Sequence, residues 1–122
     1  MEYTITTTTT LDNELIEEII ETAGYGIGYW AHTAHHDSLA ETYTLTWDGE
    51  DFEDTDPNSA GEHKLDYSDI AKAVEELLAG GVRVNNTLLG QLREWLNGYP
   101  TMDTELADVV IQVALFDEII YG

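Results

Sequence analysis

The sequence predicts an α+β domain: a small antiparallel sheet of about three strands packed with about four helices, with a helical C-terminal half. Three observations carry this reading. Glu41 to Trp47 (ETYTLTW) alternates with the two-residue period of a strand. From Ile70 onward, apolar residues recur at helical spacing, in stretches bounded by capping residues and glycines. The strand signals come early and most of the helix signals late, which argues for segregated rather than alternating elements.

Taken in order, Tyr3 to Thr10 (YTITTTTT) is β-branched and free of turn residues. It reads as one strand, at an edge because so many Thr face water. Asp12 or Asn13 caps a first helix. Leu11, Leu15, Ile16, Ile19 and Ile20 form its apolar stripe, Glu14, Glu17, Glu18 and Glu21 its other face, and Gly24 its stop. In the following Gly24-Tyr25-Gly26-Ile27-Gly28-Tyr29-Trp30-Ala31, alternating glycines let the backbone turn or approach closely while the aromatics pack. This is no dinucleotide fingerprint, because it follows a helix and its spacing differs. After the Glu41–Trp47 strand, Asp48-Gly49 signals a turn. An acidic loop then runs to about Gly61, and His63 to Tyr67 reads as a paired strand.

Ser68 or Asp69 caps the next helix, with Ile70, Val74, Leu77 and Leu78 inward and Gly80-Gly81 at its end. Asn85 or Asn86 opens another, carrying Leu88, Leu89, Leu92, Trp95 and Leu96 and ending at Gly98. Beyond Pro100, Asp103 or Thr104 caps the last, with Leu106, Val109, Val110, Val113, Phe116 and Ile120. This helix is apolar on most sides between Val109 and Phe116, so it is expected to be the most buried.

A length of 122 residues predicts one domain over 1–122, and 43% hydrophobic residues with three Trp and seven Tyr suffice for a core. The absence of Cys excludes disulfides and thiolate metal sites. Met1-Glu2-Tyr3-Thr4 lacks the basic start of a signal peptide, and the run from Val109 to Phe116 is too short to cross a bilayer. A cytoplasmic protein without a membrane partner is expected.

Charge restricts function more sharply. Twenty-five Asp and Glu face four Lys and Arg, a formal net charge of −21. Folding such a chain works against its own repulsion. Direct binding to nucleic acid or anionic lipid is disfavoured, since both need Lys or Arg, whereas basic proteins are attracted. The residues before Lys64 contain no Lys or Arg and most of the acids, as an interaction surface requires. Three accounts fit: imitation of a nucleic acid before a basic nucleic-acid-binding protein, salt adaptation, and an ordinary interaction protein with one basic partner. The leading account is mimicry, with Glu14, Glu17, Glu18 and Glu21 on the first helix and Asp48, Glu50, Asp51, Glu53, Asp54 and Asp56 in the loop as partner-binding residues.

Other chemistry is weaker. His32, His35 and His36, beside Asp37, are candidate metal or ligand residues, but their spacing is not that of ligands on one helix face. Asp54, Asp56 and Asn58 match the start of a calcium loop, yet Ser59 and Leu65 stand where Gly and Glu are needed. No nucleophile elbow occurs, so no enzyme activity and no cofactor are expected. Trp30 and Trp47 serve either the core or a homodimer interface.

Gly28-Tyr29-Trp30-Ala31 and Ala114-Leu115-Phe116-Asp117-Glu118-Ile119-Ile120-Tyr121-Gly122 carry a resemblance. Here, and in its order of acidic helix, glycine-aromatic turn and late helices, the chain resembles small acidic proteins encoded by actinobacterial phages and related mobile elements. The resemblance implies an inhibitor of host defence, of the anti-CRISPR or anti-restriction type. It transfers no catalytic residue. The scarcity of Lys and Arg departs from the pattern and fits a salt-adapted source.

Overall fold

The computed structural model describes residues 2–4, 10–29, 31, 33–47 and 61–119. Five strands and four helices occur among them: β1 (Glu2–Thr4), β2 (Thr10–Asp12), α1 (Asn13–Ala23), β3 (Thr33–Asp37), β4 (Thr42–Trp47), β5 (Gly61–Asp66), α2 (Tyr67–Ala79), α3 (Asn86–Leu96) and α4 (Thr104–Phe116). The result is the α+β architecture expected, with a three-stranded antiparallel sheet, four helices and a helical C-terminal half.

Two strands of the sheet, β4 and β5, come from the segments the sequence predicted; the third does not. The ends of the predicted Tyr3–Thr10 strand do not enter it. Instead β1 and β2 pair with each other antiparallel, Tyr3 opposite Leu11, as a separate two-stranded ribbon. Strand propensity was real there, but the partner was the same stretch of chain. The third strand of the sheet is β3, in the order β3-β4-β5. No apolar alternation announces β3; its order comes from pairing, with His36 opposite Tyr43 and Ala34 opposite Leu45. In the loop between β3 and β4, the Asp37 side chain accepts from the backbone of Leu39 and Ala40. Glu41 then takes a left-handed φ of 58°. Its side chain accepts from Asn13 at 2.6 Å, and its carbonyl accepts from the Tyr67 backbone at 3.2 Å.

The helices start where an Asx residue can satisfy their free N–H groups. Asp12, Asn85 and Asp103 cap α1, α3 and α4. The cap of α2 is Asp66, rather than Ser68 or Asp69. Asp66 accepts from the Asp69 backbone while the Asp69 side chain accepts from the Asp66 backbone, a capping box with Asp in the third position. Tyr67, read from the sequence as a strand end, therefore opens α2 and is fully buried. Gly80, at φ 81°, closes α2 in a conformation that glycine adopts without strain.

The core is one cluster in which α4 is central. Residues Leu106 to Val113 are all buried, and α4 packs on both α1 and α2. Tyr43, Leu45 and Leu65 bring the inner face of the sheet to the helices. The glycine-aromatic turn rests on the start of α4. A Cβ on Gly26 would lie 2.8 Å from Thr104 Cβ, so that position requires glycine, whereas Gly28 faces open space. Among the described residues, no helix is long and apolar enough to cross a membrane.

Candidate functional site

The acids of α1 divide into two kinds. Glu14 and Glu21 are exposed, and no described donor reaches them. Glu17, half-buried, and Glu18, itself exposed, each accept from a donor of the core. The Tyr67 hydroxyl donates to Glu17 Oε2 at 2.8 Å, and Trp95 Nε1 donates to Glu18 Oε2 at 2.6 Å. Both donors are among the most buried groups of the core, and a buried donor left without an acceptor costs about 1–3 kcal/mol. Two of the four residues expected to face a partner thus also fasten α1 to α2 and α3. Sequence alone gives Glu17 and Glu18 the same outward register as Glu14. The missing signal was that a carboxylate at the edge of an apolar stripe can reach an aromatic donor on a neighbouring helix.

Asp48, Glu50, Asp51, Glu53, Asp54 and Asp56 lie outside the described residues, as do His32, Trp30 and the calcium-like stretch. The other two histidines do not converge. Neighbours on a strand face opposite ways, so His35 sits on the outer face of β3, exposed, while His36 sits on the inner face. Among the described residues, no group of three His, Asp or Glu is placed to hold a metal ion.

His36 has other company. Its Nε2 lies 2.6 Å from the Tyr67 hydroxyl and 4.0 Å from Glu17 Oε2. Since Tyr67 donates to Glu17, its oxygen accepts from His36, which places a hydrogen on Nε2 and leaves Nδ1 uncommitted. The ring also meets Tyr43 edge-on, with centroids 6.5 Å apart. This Glu17–Tyr67–His36 chain runs from α1 through α2 to β3 and fixes the imidazole orientation.

Beside it lies a cleft of about 400 Å³ between the end of α1, the glycine turn and the sheet. Ile20, Ile27 and Ala31 give it apolar walls; Glu21 and His36 supply its polar groups, and Tyr43 also lines it. Tyr43 is 2% exposed, and its hydroxyl is buried with no hydrogen-bond partner. Burial pushes that hydroxyl up to about 12, so it stays protonated near neutrality.

A second polar group lies on α4. The Tyr29 hydroxyl donates to Asp108 Oδ2 at 2.5 Å, and Gln112 Nε2 donates to Asp108 Oδ1 at 3.0 Å. Asp108 and Gln112 are the buried polar residues of the core. Burial first, and the adjacent Asp108 next, raise the Tyr29 hydroxyl above its ordinary range. Asp108 and Tyr29 open on a cleft of about 540 Å³ that Arg83 also lines.

No known protein family, curated protein or solved structure matches this chain.

Proposed function

We propose that this protein is a non-enzymatic acidic inhibitor. It binds a basic nucleic-acid-binding protein and occupies the surface that nucleic acid would take, as an anti-CRISPR or anti-restriction protein of a phage or related mobile element would in the host cytoplasm. The observation that carries the reading is a net charge of −21, with no Lys or Arg before Lys64. Two unit charges 10 Å apart in water repel by about 0.4 kcal/mol, so twenty-one uncompensated carboxylates are a standing cost that a basic partner would relieve.

Charge density decides which acids matter most. B-form DNA carries one charge per about 1.7 Å of axis. Glu14, Glu18 and Glu21 rise along α1 at intervals of about 5 Å, from a helical rise of about 1.5 Å per residue, and Glu18 is already engaged by Trp95. That helix face alone is too sparse. The segment from Asp48 to Asp56 adds six acids in nine residues, and in this reading it carries the larger share of the interaction.

The test is capture from host lysate at low and then moderate salt, with duplex DNA as competitor. Release of one nucleic-acid-binding enzyme by DNA and by salt supports mimicry. With that partner, replacing Asp51, Glu53 and Asp54 by Lys should weaken binding and reduce the log–log salt slope by about 3, one per lost charge contact. A partner retained against DNA makes this an ordinary interaction protein. No partner at all leaves salt adaptation as the account of the charge.

A further inference from the structure

The geometry points to a small-molecule site in the cleft beside His36, one that takes an amphipathic amine with an aromatic or other apolar body and a single cationic end. The inference is independent of the mimicry reading. Its volume of about 400 Å³ lies within the range of small-ligand pockets, roughly 300–1,000 Å³. Its composition is also that of such pockets, with mostly apolar walls and a few polar groups.

One of those polar groups is unused. His36 spends Nε2 on Tyr67 and leaves Nδ1 uncommitted, so the relay from Glu17 holds a hydrogen-bonding group in fixed orientation at the cleft. A ligand that brings its own hydrogen-bonding atom to this wall satisfies what the protein leaves open. Because the relay crosses three elements, the imidazole cannot turn without breaking it.

The ligand's charge follows from the rim and the whole chain. Glu21 lines the cleft, is exposed, and meets no described cation. A net charge of −21 repels anions at any distance the salt does not screen. An ammonium group beside Glu21 with a ring against Ile20, Ile27 and Ala31 uses both features, whereas a carboxylate or phosphate there meets repulsion.

The experiment is an amide-resolved NMR titration of the full chain with tryptamine, alongside its anionic counterpart indole-3-acetate. Tryptamine should shift amides of residues 20–31 and 34–43 and saturate, with half-saturation below about 1 mM for a probe of about a dozen heavy atoms. Indole-3-acetate should bind at least tenfold more weakly. Glu21→Gln should weaken tryptamine about two- to fivefold. That variant alters an exposed carboxylate that no described donor reaches, so its thermal midpoint should hold, and the affinity loss then reports the ligand contact. Ala34→Trp, at an exposed position lining the cleft, should abolish the shifts without unfolding the chain. The proposal is overturned if tryptamine produces no saturable shifts in this region up to several millimolar. It is equally overturned if the anion binds as well, or if Glu21→Gln binds with unchanged affinity.

Discussion

Helices α1 and α4 begin alike and end as opposites. Each opens on an Asp cap and carries acids in its sequence. In α4 the carboxylate of Asp108 is buried, met by Tyr29 and Gln112. In α1 the carboxylates line the flank, where Glu17 and Glu18 accept from aromatic donors and Glu14 and Glu21 meet water. The same residue type therefore does three jobs within two helices. In a chain this acidic, the presence of a carboxylate carries almost no information. The donor it meets, or fails to meet, carries nearly all of it. Only those without an internal donor are wholly available to a partner.

The comparison breaks most visibly in the core. Ile111 is fully buried in α4, and truncating a buried Ile to Ala removes transfer free energy and leaves a cavity. Ile111→Ala should cost about 3 kcal/mol in urea unfolding. Glu14→Ala, on the outer face of α1, should change stability by no more than about 0.5 kcal/mol. Equal losses would mean that α1 is not a surface helix.

The second effect sharpens the contrast between inward and outward carboxylates. Tyr29→Phe removes a donor from buried Asp108 and should destabilise by about 2 kcal/mol, as for a hydrogen bond to a charged group. Glu21→Gln, which alters a carboxylate without an internal donor, should be nearly silent in the same assay. If Tyr29→Phe is silent too, the Asp108 group is not held as a charged acceptor.

A smaller effect lies at the start of α2. The Ser68 hydroxyl, donating at 2.5 Å, is the largest cause holding the Asp66 carboxyl below its ordinary value of 3.8, and the Asp69 backbone adds to it. A carboxyl lowered in the folded state adds stability that is present above the unfolded value and lost as pH falls through the folded one. Asp66→Asn keeps a capping oxygen, so at pH 7 it should cost less than about 1 kcal/mol. Below about pH 4 the gap between wild type and variant should close. A gap that is constant with pH would show that the Asp66 charge plays no part in the cap.

How much was legible follows from which forces are local. The caps Asp12, Asn85 and Asp103 could be read because an Asx side chain acts on the N–H groups just after it. The strand β4 could be read because Tyr43 and Leu45 alternate with Thr42, Thr44 and Thr46. The strand β3 could not, since Thr33-Ala34-His35-His36-Asp37 has no pattern of its own and is ordered by β4. Nor could the ribbon of β1 and β2, where a run of Thr gives propensity without saying where the chain reverses. At the site, the exposure of Glu14 and Glu21 followed from period alone. The Glu17–Tyr67–His36 relay did not, because its members are 50 and 31 residues apart and meet only through tertiary packing. Gln112 within an apolar run, one helical turn after Asp108, was the visible trace of the buried pair, although it reads equally as a break in the apolar face.

The smallest effect separates the C-terminal ends of the two helices. Gly24 follows α1 with φ −55°, in ordinary helical conformation, so glycine there is not required by the backbone. Asp117 follows α4 with φ 58°, left-handed, where a residue bearing Cβ is strained and glycine is not. Its negative charge also sits at the negative end of the α4 dipole. Both terms favour replacement, while glycine's greater freedom in the unfolded chain opposes it. The strain and dipole terms together outweigh that entropy, so Asp117→Gly should stabilise by about 0.5–1 kcal/mol and raise the thermal midpoint by a few degrees. Gly24→Ala, whose added Cβ would lie 3.3 Å from the Glu21 carbonyl, gains from reduced unfolded-state freedom only what that contact does not take back. A destabilised Asp117→Gly would mean that the aspartate side chain holds the end of α4 in a way its backbone angle does not reveal.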